Sequence, residues 1–533
     1  MISTDNISKQ FGSKPLFQGI NITFSEGNKY GLIGANGSGK STFMKILSGE
    51  IDSTTGKVSI DKKYRIASLK QDHFAYENIP IIDCVIMGHE KLWNIKTERD
   101  RIYSLENMSV EESLKVGDLE VEFSDLDGYT CEIDAGKLLI GLGIPLEQHR
   151  NNMSVLAPGM KLRVLLAKTL FGNPDVLLLD EPTNNLDLET INWLENIITK
   201  SNSTIITISH DRQFLNKTCS HIADLDYGEI RIYPGNYDDF MIAATQAREY
   251  LLNENKKKQA KIDELKSFVK RFSANASKAK QATSRANQIN KIKLDDIVKS
   301  SRVYPFIRFN QKKKVHNNIL EVTNLSKSYD SIKILNKISF IIEGGDRIAI
   351  LGSNGIGKTT LLNCLVNADL KDSGNIKWSK NAHIAYFEQN IDNNFNEKLT
   401  LMQWMTQWVN KNEDEYEQKA RSILGRLLFS KDDINKSTEV LSGGEKRRMM
   451  FGKIILQEPN VIIMDEPTNH LDMESIEALN SALYSYEGTI IFASHDREFI
   501  SSLAIRAIEI KPDKVHDHSA NFIENLHKIK IDK

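Results

Sequence analysis

KYGLIGANGSGKST, residues 29–42, decides how this chain is read. A strand-like apolar run passes directly into GANGSGKS, residues 34–41, which fits the pattern GxxxxGK[ST]. A phosphate-binding loop needs that order. Its glycines let successive backbone N–H groups close around phosphate oxygens, and the helix that follows adds the positive end of its dipole. The candidate contacts are Gly34, Ala35, Asn36, Gly37, Ser38, Gly39, Lys40, Ser41 and Thr42, with the Lys40 ammonium reaching the β- and γ-phosphates.

The string returns without a gap as RIAILGSNGIGKTT, residues 347–360, which supplies Gly352, Ser353, Asn354, Gly355, Ile356, Gly357, Lys358, Thr359 and Thr360. Further pairs keep the same order: VLLLDEPTNNLD (176–187) with VIIMDEPTNHLD (461–472), and STIITISHDRQFL (203–215) with GTIIFASHDREFI (488–500). The chain is therefore a tandem repeat. Each copy alternates apolar strand-like runs with helical patterns, which predicts an α/β fold, a mostly parallel sheet flanked by helices.

The acidic strands complete two nucleotide sites. Asp180 and Asp465 each end an apolar run and are placed to hold Mg²⁺ opposite the hydroxyls of Ser41 and Thr359. Glu181 and Glu466 follow them as candidate general bases for the attacking water. Two loops with matching acidic strands make a nucleotide with Mg²⁺ the expected ligand.

Spacing shows where the copies differ. Lys40 to Gln71 and Lys358 to Gln389 are both 31 residues, and Gly159 to Glu181 and Gly444 to Glu466 are both 22. Gln71 to Gly159 is 88 residues against 55 from Gln389 to Gly444, so the first copy carries 33 extra residues. Charged amphipathic helix patterns place this arm at about 88–125.

Composition narrows the class. The 533 residues amount to about three or four folding units at roughly 100–200 residues each. No stretch approaches about 18 uninterrupted apolar residues and the first residues lack an apolar signal core, so the expectation is a chain that neither spans a membrane nor is exported. Four scattered cysteines without a CxxC pair suit a reducing cytoplasm. The net charge of −2 hides an asymmetry: residues 241–318 hold 19 Lys/Arg against 6 Asp/Glu, a basic middle that suggests a polyanionic partner for that segment. Helical spacing of Ile262, Leu265, Phe268 and Phe272, then of Ile289 and Ile292, reads as two helices with a turn near 275–277. The domains expected are 1–240, a linker over 241–318, and 319–533.

LSGGEK, residues 441–446, beside the two phosphate loops and the DEPTN strings resembles the ATP-binding cassette family over nearly the whole chain. The resemblance implies a head-to-tail sandwich, with each ATP held between one cassette's phosphate loop and the other's signature, here Ser442, Gly443 and Gly444 facing Lys40. It also implies lid glutamines near Mg²⁺ at Gln71 and Gln389, switch histidines on the γ-phosphate at His210 and His495, and adenine-stacking rings at Phe11 and Tyr329. One departure matters. The first signature reads VLAPGMK, residues 155–161, so Ala157 and Pro158 stand where the second copy has Ser442 and Gly443, and the two sites are not equivalent. Pro158 suits the first position of the helix that follows.

Two cassettes in one chain without a membrane span resemble the ABC-F class of ribosome-acting ATPases. RFSANASKAKQATSRANQINKIKL, residues 271–294, is similar to the linker that in this class reaches tRNA and rRNA. APG in the first signature, DGYTCEIDAGKLLIGLGI (127–144) and YPFIRF (304–309) are similar to the bacterial YbiT-type subgroup. The resemblance implies a monomeric, cytoplasmic ATPase that meets ribosomal RNA and tRNA through its linker and arm, with no membrane partner. The competing readings are the ATPase subunit of a membrane transporter and an antibiotic-resistance factor on the ribosome.

Overall fold

The computed structural model describes residues 1–533 apart from 13, 62, 70–75, 107, 185, 273–302, 316, 330–331, 410–415, 512–514 and 519–533. Both repeats fold alike. The first has a six-stranded sheet in the order Ile66–Ser68, Val176–Asp180, Thr204–Ile208, Lys29–Ile33, His221–Asp226, Glu229–Pro234. All neighbours are parallel except the last pair. The second runs Ile384–Phe387, Val461–Asp465, Thr489–Ala493, Arg347–Leu351, Arg506–Ile510, Val515–His518 with the same pairing. Each repeat adds a three-stranded antiparallel sheet, Ile2–Phe11 between Lys14–Phe24 and Thr55–Ile60 in the first, and Asn318–Tyr329 between Ile332–Glu343 and Ser373–Trp378 in the second.

The inner strands are covered on both faces, which is why they read as unbroken apolar runs instead of alternating ones. Leu177, Leu178 and Leu179 are buried, as are Ile462, Ile463 and Met464. At the carboxyl ends of three adjacent strands the chain delivers the phosphate loop, the DEPTN carboxylates and the histidine turn, so the chemistry collects on one edge of the sheet.

The extra segment of the first repeat is a helical pair, Glu90–Tyr103 and Val110–Asp125, within the stretch that spacing assigned to the arm. Ser109 and Glu112 form a capping box at the second helix. The Lys115 ammonium donates to Glu98 at 2.6 Å and the Tyr103 hydroxyl to Glu120 at 2.9 Å, tying the pair together.

The linker opens with the helix Tyr237–Phe272, four residues ahead of the expected boundary at 241. Asn236 and Asp239 fix this start reciprocally, each backbone N–H donating at 3.0 Å to the other's side chain. At ~1.5 Å per residue this helix is about 54 Å long. The expected turn near 275–277 and the return helix lie outside the described residues. The chain re-enters as an extended segment in which Ile307 and Phe309 join the core of the second cassette and the Phe306 N–H donates to the Arg426 carbonyl. Among the described residues no helix is long and apolar enough to cross a membrane.

Candidate functional site

Lys40 begins the helix Lys40–Leu47 and Lys358 the helix Lys358–Val366. The Lys40 ammonium donates to the carbonyls of Gly34 at 2.7 Å and Ala35 at 3.1 Å. Lys358 donates likewise to Gly352 at 2.7 Å and Ser353 at 3.3 Å, and lies 3.2 Å from His495 Nε2. The loop needs glycine where the backbone is both left-handed and crowded. Gly34 has φ 152° and a Cβ there would sit 2.4 Å from the Leu225 carbonyl oxygen; Gly39 has φ 101° and its Cβ would meet Leu16 at 2.7 Å.

The carboxylates come next. Burial raises the pKa of Asp180, opposed by the Ser41 hydroxyl, and that of Asp465, opposed by the Thr359 hydroxyl. Thr359 Oγ1 donates to Gln389 Oε1 at 3.4 Å, and Asp465 Oδ2 is buried without a hydrogen-bond partner. A hydroxyl, an amide oxygen and an unpaired carboxylate oxygen make the hard oxygen set that Mg²⁺ takes. Gln71, the counterpart of Gln389, lies outside the described residues.

Glu181 and Glu466 sit in left-handed backbone, φ 50° and 48°, an uncommon conformation for a residue with a side chain. It is held by their N–H groups, which donate at 2.9 Å to the carbonyls of Ile208 and Ala493 on the neighbouring strands. The turn aims each carboxyl at a histidine: Glu181 Oε1 lies 3.4 Å from His210 Nε2, and Glu466 Oε1 3.2 Å from His495 Nε2. Neither oxygen makes a hydrogen bond. Burial pushes Glu181 up to about 8 and Glu466 to about 7, and pushes His210 down to about 4 and His495 to about 3. The imidazoles are therefore neutral at pH 7 beside carboxyls poised to exchange a proton.

Phe11 and Tyr329 lie at equivalent strand ends with 60 % and 51 % of their surface exposed, free of the core and open to a stacked base. Lys9 lies 5.3 Å over the first ring and Lys327 5.2 Å over the second.

The two cassettes face each other head to tail. One cleft of about 500 Å³ is lined by Ala35, Asn36 and Gly37 on one side and Ser442, Gly444 and Glu445 on the other. Ser442 caps the helix Gly443–Gln457, its hydroxyl donating to Glu445 Oε2 at 2.7 Å and accepting from the Glu445 N–H at 3.3 Å. In the first cassette Pro158 is the first residue of the helix Pro158–Leu170 and Ala157 offers no side-chain cap. Ser442→Ala is expected to slow ATP turnover more than Ala157→Ser speeds it, because only the first removes an existing hydroxyl. Losing the cap also costs about 1 kcal/mol, so turnover is compared at a temperature well below both melting midpoints. Equal and negligible effects on steady-state phosphate release would contradict the asymmetry.

Cross-cassette charge is what the sequence motifs did not reveal. Burial lowers the Lys40 pKa, opposed by Glu181 and then by Glu474 and Asp472 of the other cassette. Lys358 is lowered by burial too, opposed by Glu466 and then by Asp187 from across the interface. Nothing in the local spacing announces these pairs, since they form only when the repeats dock. Two symmetric bridges were also missed, Thr183 to Ser209 and Thr468 to Ser494, both at 3.3 Å, tying the DEPTN strand to the histidine strand.

The histidine turns end in helix caps, Asp211 accepting from the Phe214 N–H at 3.0 Å and Asp496 from the Phe499 N–H at 2.9 Å. Burial, then the nearby Asp211 carboxylate, raises Asp496 from 3.8 to about 7. Folded protein therefore keeps a proton that the unfolded chain has lost between these values, and stability falls as pH rises through that window. Asp496→Asn keeps the cap and removes the titration. It should raise Tm at about pH 8, with the gain vanishing near about pH 4; a gain independent of pH would contradict this origin.

Comparison with known proteins follows the same outline. An ABC transporter family model matches residues 17–184 and 335–469. The chain is 59 % identical to the probable ATP-binding protein YbiT of Escherichia coli O157:H7, over 99 % of both chains. It is 46 % identical to the ABC transporter ATP-binding protein YkpA of Bacillus subtilis, over 100 % of this chain and 98 % of that one. ABC transporter F family member 2 of Arabidopsis thaliana is 32 % identical over 99 % of this chain and 79 % of its own. The chain belongs to the ABC-F family. Its cassettes are ATP-hydrolysing domains, and it is an ATPase. Among solved structures, the archaeal ribosome recycling factor aABCE1 in complex with stalk protein aP1 superposes with a TM-score of 0.59 at 18 % identity, covering 95 % of this chain and 87 % of that one, which speaks for a shared tandem-cassette fold.

Proposed function

We propose that this ABC-F protein closes on two MgATP, docks on the ribosome in the cytoplasm with its basic linker against tRNA and rRNA, and leaves after hydrolysis, modulating translation. The observation that carries the reading is the linker: a helix of 36 residues rises from the first cassette into a segment with 19 Lys/Arg against 6 Asp/Glu. A phosphate-rich partner is what such a charge excess selects.

Each cassette's own residues have separable tasks. The loop N–H groups and Lys40 or Lys358 bind the phosphates, Phe11 or Tyr329 stacks on adenine, and Ser442 with Gly443 and Gly444 closes the first site from the other cassette. Ser41, Gln71 and Asp180, and Thr359, Gln389 and Asp465, would hold Mg²⁺, which when bound neutralises phosphate charge. Glu181 and Glu466 take the proton of the attacking water, and His210 and His495 orient the γ-phosphate. Because each site draws on both cassettes, ATP favours the closed form over the open one, the differential affinity that coupling requires.

Co-sedimentation of Glu181→Gln/Glu466→Gln protein with ribosomes, with and without ATP and beside membrane vesicles, tests the proposal. ATP-dependent recovery with ribosomes is expected. Recovery with membranes alone would favour the transporter-subunit reading.

A further inference from the structure

The two cassettes are built alike, yet the charges at their contact are not. Each histidine turn continues into an arginine, Arg212 in the first cassette and Arg497 in the second. The Arg497 guanidinium crosses to the helix Leu188–Lys200, donating to Asn192 Oδ1 at 2.9 Å, Glu195 Oε1 at 3.3 Å and the Leu188 carbonyl at 3.4 Å. Glu195 is fully buried and also accepts from Lys217 at 2.6 Å. The position equivalent to Glu195 in the other repeat is Asn480, which offers no charge to Arg212.

Arg212 instead bridges two carboxylates. Its Nη1 donates to Glu498 of the second cassette at 2.9 Å and its Nε to Asp238 at 2.8 Å. Asp238 is in the first turn of the linker helix, and its own N–H donates to Asn216 at 3.0 Å. Glu498 has the neutral Gln213 as its counterpart, so this bridge has no equivalent on the opposite face. Both described ends of the linker also border the Lys40 site. Tyr237 lines a small cavity with Lys40, His210 and Glu474, and Val303 lines the cleft with Asn36, Gly37 and Ser442.

We propose that the linker is steered by the Lys40 site, through the relay Glu498–Arg212–Asp238, while Arg497 and Glu195 form a lock that holds the cassettes together and makes no direct contact with the linker helix. Closure brings Glu498 onto Arg212, and Arg212 fixes the first turn of the linker helix through Asp238. A small movement at that turn is magnified along a helix of about 54 Å. Arg212, Asp238 and Glu498 are positioning residues: they touch neither nucleotide nor its metal. The inference rests on the linker being the part that meets the partner, but its test contains no ribosome.

The test uses the full chain in free solution, with spin labels on introduced cysteines; the four native cysteines are buried. Glu50→Cys with Asp369→Cys reports cassette closure, and Glu50→Cys with Lys266→Cys reports the linker. MgATP is expected to shift both distances in the otherwise unaltered protein. Asp238→Asn and Glu498→Gln should keep the closure shift and lose the linker shift, whereas Arg497→Gln should reduce closure and leave the linker shift in those molecules that close. Lys358→Ala should retain the linker shift that Lys40→Ala abolishes. A full linker shift in Asp238→Asn and Glu498→Gln, or one that follows Lys358 instead of Lys40, overturns the relay. Loss of ribosome binding with the relay intact would count against the function proposed above and not against this inference.

Discussion

Glu181→Gln/Glu466→Gln protein is expected to lose ATP turnover by about 10²–10⁴-fold, the usual worth of a positioned general base, while still binding nucleotide. The amide fills the same space and keeps the left-handed turn, whose hold comes from the backbone bonds to Ile208 and Ala493. The phosphate-loop lysines and the carboxylates of Asp180 and Asp465 are untouched. What is lost is the carboxyl oxygen that lies 3.4 Å from His210 Nε2 in the first site and 3.2 Å from His495 Nε2 in the second, proposed to accept the water's proton. Single variants should differ: Glu181→Gln disables the site that faces Ser442, and Glu466→Gln the one that faces Ala157, so the first should cost more. Single-turnover phosphate release beside filter binding of labelled ATP checks both points. Turnover within tenfold of the parent in the double variant would remove these residues from the role of base.

The second large effect concerns the linker. Changing Lys256, Lys257, Lys261 and Lys266 together to Gln removes four charges from the helix Tyr237–Phe272. If each meets a phosphate, the slope of log binding constant against log salt should flatten by about 3, since each contact contributes roughly 0.7–0.9. Affinity should fall at low salt and converge with the parent at high salt, where the released-ion contribution has been spent. A filter-binding series over salt with purified ribosomes measures it. An unchanged slope would return these lysines to the role of a solvated helix face.

The fold was legible because its decisive features are local. Unbroken apolar runs such as VLLL and VIIM announce strands covered on both faces, and the glycine pattern announces a loop whose backbone must bend where a side chain would collide. Comparing spacings between copies points to the arm at about 88–125, where the helices Glu90–Tyr103 and Val110–Asp125 lie. The helix Tyr237–Phe272 starts four residues ahead of 241, because basic composition begins after the helix does; its start is fixed by Asn236 and Asp239, which are not basic.

The site was legible in part for the same reason. The phosphate loops, the carboxylates proposed to hold Mg²⁺ and the proposed bases lie on contiguous motifs. The lysines' cross-cassette neighbours, Asp472 and Glu474 for Lys40 and Asp187 for Lys358, are far away along the chain and meet only on docking. Ser442 also caps a helix, a role readable from the S-x-x-E spacing of Ser442 and Glu445 but not drawn from the signature motif; its hydroxyl accepts from and donates to Glu445. The inequality of Arg212 and Arg497 shows in sequence only as one change between SHDRQF and SHDREF, Gln213 against Glu498; the rest of it lies in what stands opposite, Glu195 against Asn480.

The proposed function requires the linker to touch RNA when the cassettes hold ATP. A photo-crosslinking group at position 266, on the exposed side of the linker helix in the Glu181→Gln/Glu466→Gln protein, tests this most directly. With ribosomes and ATP, crosslinks to tRNA or rRNA are expected that disappear when ADP replaces ATP. Crosslinks that form equally with either nucleotide, or that reach no RNA while the protein is ribosome-bound, would contradict it.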